Sequence, residues 1–111
     1  MKLKQDKYRR ARGGHSRVLA VCCAKCGEHL FHYQKDGPGI LKRTYLDRIY
    51  NSKQFENLQN LALNEIPQLI CLNCKEHLGV PIVYKKENRL AFRLFEGAVS
   101  KKIARLNEVQ K

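Results

Sequence analysis

Apolar residues fall in short runs along this chain, most of them of strand length rather than helix length. Residues 17–23, Arg-Val-Leu-Ala-Val-Cys-Cys, predict a first strand, and residues 30–34 a second, with Leu30 and Tyr33 as core candidates. A turn cluster, Asp-Gly-Pro-Gly at 36–39, separates them from residues 40–50, which are rich in Tyr and Ile and read as a strand ended by Asn51 and Ser52. Between 52 and 66 the spacing changes. Phe55, Leu58, Leu61 and Ala62 recur at helical intervals behind Ser52, a usable N-cap, so a helical insertion is predicted with Pro67 as its stop; an extended insertion is the alternative. Residues 68–72 predict another strand. Residues 80–84 and 89–95 predict a hairpin around 85–88, with Leu90, Phe92 and Leu94 inside and Arg89 and Arg93 outside. Val99, Ile103 and Leu106 form a stripe that predicts a C-terminal helix over 100–111, docked on its own domain.

Length and composition narrow the class. The 111 residues suit one compact domain, and 43% hydrophobic with 29% charged residues is a globular mixture. The longest apolar stretch, residues 18–24, is too short to cross a bilayer, and the basic first 17 residues do not resemble an export signal. A cytoplasmic location without membrane contact is therefore expected. The formal net charge is +12, and residues 1–17 supply half of that excess, with seven Lys and Arg against Asp6 alone. Such an excess suits a polyanionic partner. The expected division is a flexible basic tail over 1–17, a metal-binding β domain over 18–99 and the helix over 100–111. The tail reads as a phosphate-binding arm; a merely solubilising tail, or one that meets acidic protein or lipid surfaces, is the alternative.

The cysteines carry the strongest signal. Cys23-Ala-Lys-Cys26 and Cys71-Leu-Asn-Cys74 are two CxxC pairs, and Cys22 is left over. Two intervening residues let a tight turn aim both sulfurs at one point, and two such turns face to face make a tetrahedral thiolate cage suited to a single structural Zn²⁺. Iron fits a similar cage, and a disulfide or a buried thiol cluster is the bland reading. Cys22 and Cys26 could also ligate at x3 spacing, but x2 matches the second pair, so Cys22 is read as a small buried hydrophobe with a redox thiol as its alternative. A four-cysteine cage leaves no open coordination position, so it contributes folding energy rather than catalysis. The expected fold is thus mainly β, with small antiparallel sheets clamped by a two-knuckle, four-cysteine zinc site.

The flanks of the knuckles are recognisable. Cys23-x2-Cys26-Gly27-x2-Leu30-Phe31, followed by Cys71-x2-Cys74-x2-His77-Leu78-Gly79, resembles the zinc-binding scaffold of methionine-R-sulfoxide reductases and of the β-tent modules of the Yippee and cereblon type. The resemblance covers roughly residues 21–95 and implies two antiparallel sheets clamped over a structural zinc. It does not carry the reductase chemistry: residues 89–95 hold no cysteine, and the chain has no Trp to line a substrate pocket or an aromatic cage. His77 is expected to donate to the thiolate cage, His29 and His32 to offer a second metal at most, and His15 to belong to the tail.

No phosphate-cradling Gly loop, GxSxG motif or paired carboxylate appears, so no enzyme is expected. The favoured function is a non-catalytic zinc module that binds structured, ribosome-associated RNA. Its contacts would be Lys4, Lys7, Arg9, Arg10, Arg12 and Arg17 in the tail, with Lys42, Arg43, Arg48, Lys85, Lys86, Arg89 and Arg93 on the β surface. The alternatives are a protein-interaction module, using residues 55–66 or the C-terminal helix without a nucleic-acid role, and a redox enzyme built on Cys22.

Overall fold

A computed structural model describes residues 3–104. Eight strands form two four-stranded antiparallel sheets. The first sheet has the order β4-β2-β1-β8, from β1 (Ser16–Cys23), β2 (His29–Asp36), β4 (Ile49–Tyr50) and β8 (Val99–Ala104). The second has the order β3-β7-β6-β5, from β3 (Arg43–Tyr45), β5 (Leu69–Ile70), β6 (His77–Tyr84) and β7 (Arg89–Leu94). The chain is therefore mainly β, as its short apolar runs foretold.

The sheets share one core. Val21, Phe31 and Leu19 from the first sheet meet Leu69, Leu78 and Phe92 from the second. Phe55 wedges between them, its ring edge-on to Phe31 at 6.3 Å and to Phe92 at 5.9 Å. Each such buried ring contributes about 2–3 kcal/mol through the area it removes from water. Gly79 in β6 has a packing reason. A Cβ there would lie 2.6 Å from the Arg93 carbonyl oxygen of β7, so only glycine allows the strands this close.

Three expectations change. Residues 52–66 do not form a helix; they are a loop with two short 3-10 turns, Leu58–Asn60 and Leu63–Glu65. Asn57 adopts a left-handed φ of 65°, which ends any helix after its first turn, and the loop buries Phe55 and Ile66 while Leu61 and Leu63 stay exposed. Residues 40–50 are not one strand. A 3-10 turn at Leu46–Arg48 carries the chain from β3 in the second sheet to β4 in the first, which lets Leu46 and Arg48 turn inward. Residues 100–104 are not helical but complete β8 against β1, a ladder in which Val99 packs on the shared core and Ala104 on the opposite face with Val18 and Ala20; 105–111 lie outside the described residues.

The N-terminal segment lies against the body. Asp6 caps a short helix, α1 (Lys7–Ala11), by accepting from the amides of Tyr8 and Arg9. The Lys4 amide donates to Gln34 and the Gln34 amide returns to the Lys4 carbonyl, at 2.7 and 2.9 Å. The segment expected as a tail thus has specific seats on β2 and on the β6–β7 hairpin, where the Tyr8 hydroxyl donates to the Glu87 carbonyl.

Candidate metal centre and cationic face

Each knuckle grows out of a strand end. β1 bulges between Val21 and Cys22 and enters the first; β5 bulges between Leu69 and Ile70 just before the second. The two turns have the same backbone wiring. The Cys23 amide donates to the Glu28 carbonyl and the Gly27 amide to the Cys23 carbonyl; the Cys71 amide donates to Glu76 and the Lys75 amide to Cys71. Gly27 and Lys75 occupy the same left-handed position, at φ 83° and 67°. Lys75 accepts there a conformation that costs a side-chain-bearing residue about 1–2 kcal/mol, which marks how strongly the turn is imposed.

The sulfurs of Cys23, Cys26, Cys71 and Cys74 all lie within 4.8 Å of one another. Cys23 faces Cys74 at 3.7 Å and Cys26 faces Cys71 at 3.6 Å. An ion at the centre of four tetrahedral Zn–S bonds sets the sulfurs about 3.8 Å apart, whereas a disulfide needs about 2.05 Å. The four cysteines are therefore positioned to hold a metal ion. Cys23 and Cys71 are buried in the core, and Cys26 faces solvent, so the cage is anchored on one side and open on the other. Asn73 and the Glu28 amide lower the Cys26 thiol to about 6. The Glu76 amide pulls the Cys74 thiol down, but desolvation and the three neighbouring sulfurs outweigh it and push that thiol up to about 12. Four sulfurs this close cannot all be anionic without a cation among them. Because one knuckle follows a strand of each sheet, a bound ion would bridge the sheets.

Cys22 lies outside the cluster, half-buried in β1 opposite His29 and Ser100. His77 does not reach a sulfur: its Nε2 sits 3.0 Å from Gln68 Oε1 and its ring packs edge-on to Phe95. The rings of His29 and His32 lie 4.7 Å apart, away from the four-sulfur group.

The expected nucleic-acid contacts divide into two populations. Arg48, expected on a phosphate-facing surface, is wholly buried. Its guanidinium pairs with Asp6 at 2.6 Å and with Asp36 at 3.0 Å. Arg89 is 5% exposed, pairs with Asp47 and Glu87, and is stacked between the Tyr8 and Tyr45 rings at 4.0 and 3.8 Å. Arg12 pairs with Glu87 at 2.8 Å, and the Lys4 amine donates to the Asp47 carbonyl. These four are structural because the fold delivers carboxylates or carbonyls to them. The Asp6 carboxyl would be raised by burial, but Arg48 and the Arg9 and Tyr8 amides bring it down to about 2. Arg9 donates to Ser16, and the Lys7 amine lies over the Tyr8 ring.

The second population has no carboxylate partner among the described residues. Lys7, Arg10, Arg17, Lys42, Lys85, Lys86 and Arg93 are exposed, and Arg43 is half-exposed over the Tyr84 ring. Three of its members are directly opposed across strands to another cation: Arg43 and Arg93 to each other in the β3–β7 ladder, and Arg17 to Lys35 in the β1–β2 ladder. Burial first, then the neighbouring Arg17 and Arg12, lower the Lys35 amine from its ordinary value. Like charges so placed oppose folding. Lys35 and Lys101 were not among the expected contacts, because their place beside other cations is set by strand register.

Among the described residues no helix is long and apolar enough to cross a membrane. A scan against protein-family models finds no match, and searches of curated proteins and of solved structures return no significant similarity.

Proposed function

We propose that this chain is a non-catalytic, zinc-stapled β scaffold that binds structured RNA through its unpaired cations, in the cytoplasm and in association with ribosomes. One observation carries the reading. The fold neutralises its inner arginines with Asp6, Asp36, Asp47 and Glu87, yet leaves two cross-strand like-charge pairs, Arg17 with Lys35 and Arg43 with Arg93, with no ion-paired carboxylate among the described residues. A polyanion supplies the missing counter-charge. Zinc is the ion that four thiolates at this spacing suit best, and a closed cage gives it a structural role. The resemblance to the sulfoxide reductase scaffold stops at that scaffold, since β7 carries no thiol nucleophile.

The test is a salt titration of a labelled, structured RNA such as a ribosomal fragment, with zinc per chain measured on the same sample. With six or more phosphates contacted, affinity should fall by roughly a thousandfold between 50 and 200 mM salt. Flat salt dependence, or no binding at 50 mM, refutes the reading. The protein-interaction alternative draws on exposed Leu61 and Leu63 in the 58–65 loop. It predicts a protein partner retained after nuclease treatment.

A further inference from the structure

Beside the Arg43–Arg93 pair the surface opens into a cleft of about 660 Å³, within the about 300–1,000 Å³ range of small-ligand sites. Its walls join two chemistries. Ile40, Leu94 and Phe95 are apolar, with Ile40 78% and Phe95 38% exposed. Lys42, Arg43, Arg93 and Lys101 add four cations against one carboxylate, Glu96. The cleft does not end there. Lys42 and Arg43 also line a smaller hollow of about 160 Å³ with Arg12, Lys35 and one carboxylate, Asp36, which is held by Arg48; Arg12 lines a third, of about 280 Å³, with His15 and Arg17. The three hollows make one cationic track that crosses both like-charge pairs.

A ligand that fits must bring a flat apolar face and a negative charge together, and more negative charge along a chain. Duplex RNA presents phosphates but keeps its base faces stacked inside, so the apolar wall would stay idle. A polyacidic segment such as polyglutamate offers charge without a flat ring for Phe95. We propose that the cleft takes one unstacked nucleotide of a single-stranded RNA segment, its base against Phe95 and Ile40 and its phosphate between Arg43 and Arg93, with the flanking backbone following the track toward Arg17. This inference rests on the RNA-binding reading above and adds the strandedness of the ligand and the place of one base.

The full-length, metal-loaded protein should be titrated at 50 mM salt with three labelled probes: a twelve-nucleotide single-stranded oligouridine, an RNA duplex of equal length, and polyglutamate. Phe95→Ala should weaken the single strand by about tenfold or more, since base–aromatic stacking is worth that much, and leave the duplex affinity unchanged. Phe95 also packs on His77, so Ile40→Ser, which removes apolar surface at a 78% exposed position without adding charge, serves as the second variant and should act in the same sense. Uridine monophosphate should shift the amide resonances of residues 40–43 and 93–97. If RNA binds with steep salt dependence but the duplex binds as well as the single strand, or neither variant matters, the nucleotide cleft is wrong and the RNA-binding reading survives. If no RNA binds, or polyglutamate alone binds, both fall.

Discussion

Replacing Arg93 by Glu separates a cation kept for a partner from one kept for the fold. In the structure Arg93 faces Arg43 directly across the β3–β7 ladder, and Arg43 is held by the Tyr84 ring at 4.1 Å and the Tyr45 hydroxyl at 3.4 Å. Side chains directly opposite have Cβ atoms about 5 Å apart, and a charge separation of about 6 Å sets the upper bound on their repulsion. In water-like dielectric, repulsion at that distance costs about 0.7 kcal/mol, and reversing one charge turns it into a gain of equal size. The swing of about 1.4 kcal/mol falls to about 0.7 kcal/mol once physiological salt screens it. For a domain of this size that is a Tm rise of about 3–5 °C. Thermal unfolding of the metal-loaded protein should show that rise at 150 mM salt, a larger one at 20 mM and little of it at 500 mM. Affinity for RNA should fall at least tenfold in the same variant. A variant that melts lower than the parent at 20 mM salt, or binds RNA as tightly, would refute the argument that this pair awaits an anion.

Other outcomes follow from the same geometry. A zinc chelator should abolish the cooperative melting transition, because structural zinc supplies about 10–16 kcal/mol and a small domain has about 5–15 kcal/mol in all; Cys26→Ser should lower metal per chain and Tm together. Asp6 has its pKa depressed from 3.8 to about 2, so its pairing contributes fully above pH 3.8 and is lost as pH falls toward 2. Its carboxylate is 38% exposed, which discounts the effect to about 1 kcal/mol; the stability gap between parent and Asp6→Asn, read by urea melts, should shrink between pH 4 and pH 2. Gly79→Ala should cost about 2 kcal/mol or more by forcing β6 from the Arg93 carbonyl, seen as a lower midpoint with the metal still bound. Arg48→Met, by contrast, leaves the buried Asp36 carboxylate without its ion pair, with only Ser16 and Gln34 donating to it, and should cost about 3 kcal/mol, yet leave the RNA affinity of the folded fraction unchanged.

The two CxxC pairs were legible because a knuckle is a local object: spacing alone aims both sulfurs, and only the meeting of the pairs needed the fold. The β6–β7 hairpin was legible for the same reason, since alternation and a four-residue turn lie within one stretch of chain. Phe55 and Leu58 misled because their helical spacing is also what a loop uses when it plugs a core at Phe55 and Ile66, and Asn57 is a weak signal until its φ is known. The arginines could not be sorted. Arg48 and Arg93 look alike in sequence, and what divides them is whether the 3-10 turn at Leu46–Arg48 delivers a side chain to Asp6 and Asp36 or a ladder sets it beside another cation. The neighbours of Lys35 and Lys101 are likewise set by strand register, within the β1–β2 hairpin for Lys35 and between the distant strands β1 and β8 for Lys101.

The seating of the N-terminal segment has a consequence for synthesis. Asp6 waits for Arg48, Tyr8 and Arg12 wait for Glu87, and the ring of Tyr8 waits for Arg89. Residues 6–12 are thus made well ahead of the residues that seat them, and find their places only after residues 48–89 have followed. Until then this strongly basic stretch of the nascent chain stays unclasped.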